Sequence, residues 1–159
     1  MYVINQNYTN DNFFNLKDLN HYLTLLNNEF FEEIEFLLLN KIYILNEYIN
    51  ENEIKIFFIE GNIGVGKTTF INSLCLNGQV VKTPEPINLW LSIIDVDTNM
   101  NCLQIYYDFI KNNNLKDTNN IIIKFEYITL ITRVLCMCNY VFYSKFCKRF
   151  ICERSFINE

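Results

Sequence analysis

Ten consecutive residues restrict how this chain can fold more than any others: Glu60-Gly61-Asn62-Ile63-Gly64-Val65-Gly66-Lys67-Thr68-Thr69. They hold three of its four glycines and match the pattern G-x-x-x-x-G-K-[ST] in full. In front of them stands Ile54-Lys55-Ile56-Phe57-Phe58-Ile59, a short and nearly continuous apolar run of the kind that makes a buried parallel strand. Behind them, residues 70–76 read as a helix, with Gly78 placed to end it. In such a unit the glycines let the backbone wrap closely around phosphate oxygens and expose its amide N–H groups. The helix N-terminus adds positive potential, Lys67 reaches the terminal phosphates, and the Thr68 hydroxyl can bind Mg²⁺. Gly61, Asn62, Ile63, Gly64, Val65, Gly66, Lys67, Thr68 and Thr69 are therefore expected to hold phosphate. A chance glycine-rich turn would not gather the glycines of so glycine-poor a chain between a strand and a helix.

The rest of the composition narrows the class. At 159 residues, 50% hydrophobic and 16% aromatic, the chain can fill the core of a single domain, which rules out global disorder. Its formal net charge of −5 argues against sequence-independent binding of nucleic acid, which depends on Lys and Arg neutralising phosphates. The N-terminal stretch has neither the basic nor the apolar region of a secretory signal. Residues 121–146 are the most hydrophobic, but Lys124, Glu126 and Arg133 interrupt them, so a buried helix is expected rather than a membrane span. Together these features point to a cytoplasmic protein with no membrane partner. The six cysteines form no C-x-x-C pair and have only His21 beside them, so neither a zinc site nor a disulfide framework is expected. They read as small buried hydrophobes in a reducing compartment.

Residues 16–49 carry apolar side chains at helical spacing (Leu19, Leu23, Leu26, Phe30, Ile34, Leu37, Leu38), with Asn15 placed to cap their start and a break expected near Asn40. Such a stripe usually packs on its own domain, and that reading is preferred here over a partner-binding helix. The organisation expected is a helical N-terminal extension over residues 1–50 and an α/β domain over 51–159. Residues 111–120 form a polar loop.

The residues flanking the glycine loop carry the chemistry. Glu60 ends the strand just before the loop, where a carboxylate can accept the proton of an attacking hydroxyl. A second apolar strand, Phe150-Ile151-Cys152, runs into Glu153-Arg154-Ser155. Ligands in open parallel sheets gather at the carboxyl ends of the strands, so Glu153 and Arg154 should face the same crevice as Glu60. One suits a Mg²⁺ site and the other suits charge on a transferring group. Between them, Glu126, Thr129 and Arg133 share one face of a largely apolar helix. That face is the floor of a ligand cleft, a buried ion pair or an edge that meets solvent, and the residues alone leave these open.

The glycine loop, Pro84-Glu85-Pro86 with Trp90, the segment Asn101-Cys102-Leu103-Gln104-Ile105-Tyr106-Tyr107, residues 125–133 and Glu153-Arg154-Ser155 together resemble the deoxynucleoside kinases. These enzymes phosphorylate the 5′-hydroxyl of deoxynucleosides with ATP and Mg²⁺ in nucleotide salvage. The resemblance covers roughly residues 54–159. It implies an α/β fold of the P-loop (Walker A) NTPase type, a parallel sheet of about three strands flanked by helices, with the strands near residues 54–60, 79–83 and 147–152. It implies catalytic roles for Glu60 as base, Lys67 on the phosphates and Arg154 near the 5′-oxygen. Thr68 and Glu153 become metal ligands. Tyr107 contacts the sugar 3′-hydroxyl. Trp90, Leu103 and Phe125 line the base pocket, with Phe125 stacking on the base, and Arg133 lies near the base and the catalytic acid. A thymidylate kinase would instead carry an Asp-Arg motif at 153–154.

Two departures from the family pattern matter. Where the family has a base-reading glutamine, this chain has Glu126. A carboxylate only accepts hydrogen bonds, which suits the N1–H and N2–H₂ groups of guanine. The chain also ends at Glu159, soon after the Glu-Arg-Ser motif, where family members continue through further strands, an arginine-bearing lid and an adenine-binding loop. A truncated, incomplete sheet is expected, with an edge that the N-terminal helices, a homodimer partner or a completing partner chain would cover. The alternative to an active kinase is a non-catalytic nucleotide-binding remnant or subunit.

Overall fold

The computed structural model of the chain describes residues 1–5, 15–61, 65–76, 78, 80–112, 118–144 and 146–153. In chain order its elements are β1 (Tyr2–Ile4), α1 (Leu16–Asn27), α2 (Phe31–Glu51), β2 (Lys55–Ile59), α3 (Lys67–Cys75), β3 (Val81–Thr83) and α4 (Ile87–Ser92). Then come β4 (Ile93–Asp95), β5 (Met100–Asn101), α5 (Cys102–Asn112), α6 (Thr118–Tyr143) and β6 (Arg149–Glu153).

β2, β6 and β3 form a three-stranded parallel sheet in that order, with β6 in the middle. β2 and β6 are the strands expected from the apolar runs, and β3 falls within the expected 79–83. β2, however, is a partly exposed edge strand and not the buried one its apolar run suggests, because among the described residues only β6 has a neighbour on each side. β6 is central because Phe150, Ile151 and Cys152 are buried on both of its faces, whereas Lys55 and Phe57 of β2 are exposed. The register aligns Ile59 with Glu153 and Thr83 with Cys152, so the carboxyl ends of all three strands finish side by side. Glu60, Glu153 and the Pro84-Glu85-Pro86 turn are delivered to one edge of the sheet by that alignment alone.

A second sheet was not anticipated. β1 pairs antiparallel with β4, and β4 with β5. The Met1 ammonium closes it, lying 2.5 Å from Asp95 Oδ1 and 2.9 Å from Asp97 Oδ2. Burial opposes the charge of Asp95, but hydrogen bonds from that ammonium and from Thr98 outweigh it and hold the carboxyl below its ordinary range.

The N-terminal helices belong to the same core as the rest. Leu19, Leu23, Leu26, Ile34 and Leu38 are buried in one cluster with Ile128, Ile131 and Val134 of α6 and Phe150 of β6. Asn15 caps α1, its Oδ1 accepting from Lys17 N at 3.1 Å. The break between the helices falls at residues 28–30 and not at Asn40, which lies inside α2. Phe30 N–H donates to Leu25 O and Glu29 N–H to Leu26 O, with Glu29 at φ 60°, a Schellman turn that ends α1. The polar run at 111–120 is also shorter than expected as a loop, since Lys111 and Asn112 close α5 and residues 118–120 open α6. No helix among the described residues is long and apolar enough to cross a membrane.

Candidate functional site

The glycine loop joins β2 to α3, and the conformation at its end dictates glycine. Gly66 sits at φ 85°, the left-handed region, immediately before the first turn of α3. Gly61, at φ 151°, opens the loop, and a Cβ there would lie 3.3 Å from Val65 Cγ2. Lys67 folds back over this opening, its ammonium donating to Gly61 O at 2.6 Å. Asn62, Ile63 and Gly64 lie outside the described residues, as does Arg154.

Thr68 and Glu153 meet although 85 positions separate them. The Thr68 hydroxyl donates to Glu153 Oε1 at 2.8 Å, and Lys82 Nζ stands 3.4 Å from Oε2 of the same carboxylate. The first turn of α3 is thereby tied to the end of β6, and β3 contributes the neutralising lysine. Because the hydroxyl proton is committed to Glu153, the lone pairs of Thr68 Oγ1 stay available to a cation. Glu60 and Thr69 are exposed beside this pair.

A cleft of about 870 Å³ opens between α4, α5 and α6. Trp90, Leu103, Tyr107, Phe125, Glu126 and Arg133 all line it, so one concavity collects the six residues expected to meet a nucleoside. Thr129 lies on the same wall. The start of α5 is fixed by a reciprocal cap: Asn101 Oδ1 accepts from Gln104 N at 2.9 Å, and Gln104 Oε1 accepts from Asn101 N at 3.2 Å. Trp90 is 6% exposed, and its Nε1–H donates to Thr132 Oγ1 at 2.8 Å, which locks α4 to α6.

Arg133 joins the cleft to the strand ends. Its Nη2 donates to Glu85 Oε1 at 3.1 Å, and its guanidinium carbon lies 5.5 Å from the Trp90 ring centre. The polar face of this helix therefore holds an ion pair and also borders the concavity. Glu126 and Thr129 look into the cleft, while Arg133 lines it and is also ion-paired, with Glu85 as the partner. Glu85 and Arg133 also line a small cavity with Glu153, Cys136 and Cys152, so these two residues border both the cleft and the cavity beside the Glu153 carboxylate. Burial pushes the Cys136 thiol up to about 12 and that of Cys152 up to about 11, so both stay neutral at ordinary pH.

Sequence reasoning missed Lys82, Thr132, Tyr106 and any role for Glu85. Lys82 and Thr132 carry no local signal, because their partners arrive from distant elements. Glu85 was visible in the Pro-Glu-Pro turn but had no partner until the fold supplied Arg133.

The fold and site define a small α/β protein whose parallel strands end at a glycine-rich loop and a Thr–Glu pair, beside an aromatic cleft with an ion-paired arginine. The family model described as deoxynucleoside kinase matches residues 57–156, more than half of the chain, and the protein belongs to that family. It is therefore a kinase-type transferase by family. The chain matches no curated protein and no solved structure.

Proposed function

We propose that this protein transfers the terminal phosphoryl group of ATP to the 5′-hydroxyl of a deoxynucleoside. One observation carries the reading: the Thr68–Glu153 bond ties the glycine loop to the sheet end, where Glu153 lines a small cavity with Glu85 and Arg133, two residues that also line the aromatic cleft. Phosphates belong on the loop and the nucleoside in the cleft, so the reacting groups meet at Glu60 and Glu153.

In this mechanism Glu60 accepts the proton of the 5′-hydroxyl as that oxygen bonds to the terminal phosphorus, and the bond from phosphorus to the departing ADP oxygen breaks. Lys67 balances charge on the phosphates, and Arg154, next in sequence after β6, stabilises the transferring group. Thr68 Oγ1 and the Glu153 carboxylate are hard oxygen donors that suit Mg²⁺, which would neutralise phosphate charge when bound. Trp90, Leu103 and Phe125 enclose the base, and Tyr107 takes the sugar. Glu126, exposed in the cleft, accepts from the donor edge of guanine. The neutral buried thiols suit a reducing cytoplasm.

The test is phosphoryl transfer by the purified chain with ATP and Mg²⁺ across the natural deoxynucleosides. A 5′-monophosphate that vanishes in Lys67→Ala is the expected result, with deoxyguanosine preferred and the preference lost in Glu126→Gln. Measurable ATP binding without product would refute the catalytic reading. It would favour a nucleotide-binding subunit completed by another polypeptide, for which the outer edge of β2, unpaired among the described residues and carrying an exposed Phe57, is the natural seam.

A further inference from the structure

Three aromatic rings are packed at the inner wall of the cleft, and their order decides which of them a base can reach. Phe125 is 8% exposed. Trp90 meets it edge-on, with ring centres 6.3 Å apart and planes at 67°. Tyr106 lies flat on it, with centres 4.3 Å apart and planes 20° from parallel. A planar base needs an open ring face, and Tyr106 covers the one that Phe125 would offer. Tyr106 is itself only half-buried and lines the cleft, with Tyr107 tilted against it at 5.8 Å.

Its position is firmly set. Tyr106 follows the buried Ile105 and lies one turn beyond Cys102, which is 1% exposed and whose Sγ donates to Trp90 O at 3.1 Å. The reciprocal Asn101–Gln104 cap fixes the helix start just before it. Such a ring loses little freedom when a ligand settles on it.

We propose that Tyr106, backed by Phe125, is the stacking platform for the nucleoside base and the principal determinant of base affinity in this cleft. The inference rests on the nucleoside-kinase reading and changes one part of it: Phe125 supports the platform instead of touching the base. A purine covers more of the ring than a pyrimidine does, so the platform adds to the preference that Glu126 sets.

Trp90 is the chain's single tryptophan and lines the same cleft, so its emission reports occupancy without any turnover. Deoxyguanosine and deoxycytidine are titrated into the full chain and into Tyr106→Phe, Tyr106→Leu and Phe125→Leu, with calorimetry as a second readout and thermal melts to confirm folding. Tyr106→Phe should keep affinity within about twofold, and Tyr106→Leu should lose roughly tenfold or more, with the larger loss on the purine. Phe125→Leu should lose less than Tyr106→Leu. Equal or tighter binding by Tyr106→Leu would make Tyr106 a mere filler of the cleft and would overturn the inference, as would a larger loss for Phe125→Leu. If the unaltered chain binds no deoxynucleoside, the kinase reading itself fails and takes this inference with it.

Discussion

Replacing Thr132 by Val tests whether the link between α4 and α6 is the polar bond it appears on geometry, because the two side chains have nearly the same shape. Thr132 is 0% exposed, and its hydroxyl sits 2.7 Å from Ile128 O, 3.1 Å from Thr129 O and 2.8 Å from Trp90 Nε1. The hydroxyl has one proton, which goes to the helix carbonyls, and its lone pair takes the indole N–H. Valine fills the volume but accepts nothing. The indole donor is then left buried, which costs about 1–3 kcal/mol. The two carbonyls already serve the α6 backbone, so they add little. A chain of this size should lose about 2–4 °C of Tm for each kcal/mol. Urea unfolding is followed by Trp90 emission and by far-UV circular dichroism, with an unchanged m-value expected. Thr132→Ser keeps the hydroxyl and should cost about 1 kcal/mol from the lost methyl. A Val variant as stable as the parent, or a Ser variant less stable than the Val one, would refute the reasoning.

Two further outcomes follow from the site. Burial raises the thiols of Cys102 and Cys136 from 9.0 to about 12 and those of Cys138 and Cys152 to about 11. Raised folded values mean that the stability is fully present below pH 9.0 and is lost as pH climbs toward 11 and beyond, where only the unfolded thiols ionise first. Each group contributes up to about 1.4 kcal/mol per pH unit, so a Tm that stays flat from about pH 8 to pH 10 would contradict the burial argument. Glu153→Gln keeps an acceptor for the Thr68 hydroxyl but removes the charge. Phosphoryl transfer should fall about tenfold or more and need more Mg²⁺, with Tm lowered because Lys82 loses its counter-charge; an unaltered Mg²⁺ dependence would remove Glu153 from the metal site.

The parallel sheet and its glycine loop were legible because their signals are local. Apolar runs and three glycines in six positions each fit within a dozen residues, and the helical stripe repeats from turn to turn. The helix ends were less legible, because the chain uses glutamate where glycine is the usual marker. Glu29 and Glu53 both hold positive φ at Schellman turns, and Glu29 is held there by Lys124 at 2.9 Å. With no glycine to mark the first turn, the sequence pattern points to a break near Asn40 instead. The second sheet was hidden for another reason: three-residue strands carry too little periodicity, and β1 finds its partner about ninety positions away. In the cleft, the identities of Trp90, Phe125 and Glu126 were visible from resemblance. The stacking of Tyr106 over Phe125 was not, because spacing along two helices does not say which of their rings lies outermost.

The position of α6 decides what the N-terminal helices do. From Asn120 to Phe142 it is braced by α1, α2 and the turn between them: Lys124 pairs with Glu29, the Tyr127 hydroxyl bonds Glu35, Phe31 lies 4.9 Å from the Tyr127 ring, and Tyr48 packs edge-on against Phe142. Leu19, Tyr22, Leu23, Leu25, Leu26, Ile34, Leu38 and Leu45 supply the apolar contact between these attachments. At about 1.5–3 kcal/mol for each buried side chain, that contact matches or exceeds the ~5–15 kcal/mol by which a domain is stable at all. Deleting residues 1–50 also removes the entropy cost of ordering them, but it leaves the apolar face of α6 in water, including Ile128, Ile131 and Val134, each 0% exposed in the intact chain. The cleft residues Phe125, Glu126 and Arg133 ride on that same helix. Truncation should therefore abolish cooperative unfolding and nucleoside binding together, with strong binding of a hydrophobic dye. A truncated chain that melts cooperatively near the parent Tm would show that α1 and α2 are an appendage and that α6 stands without them.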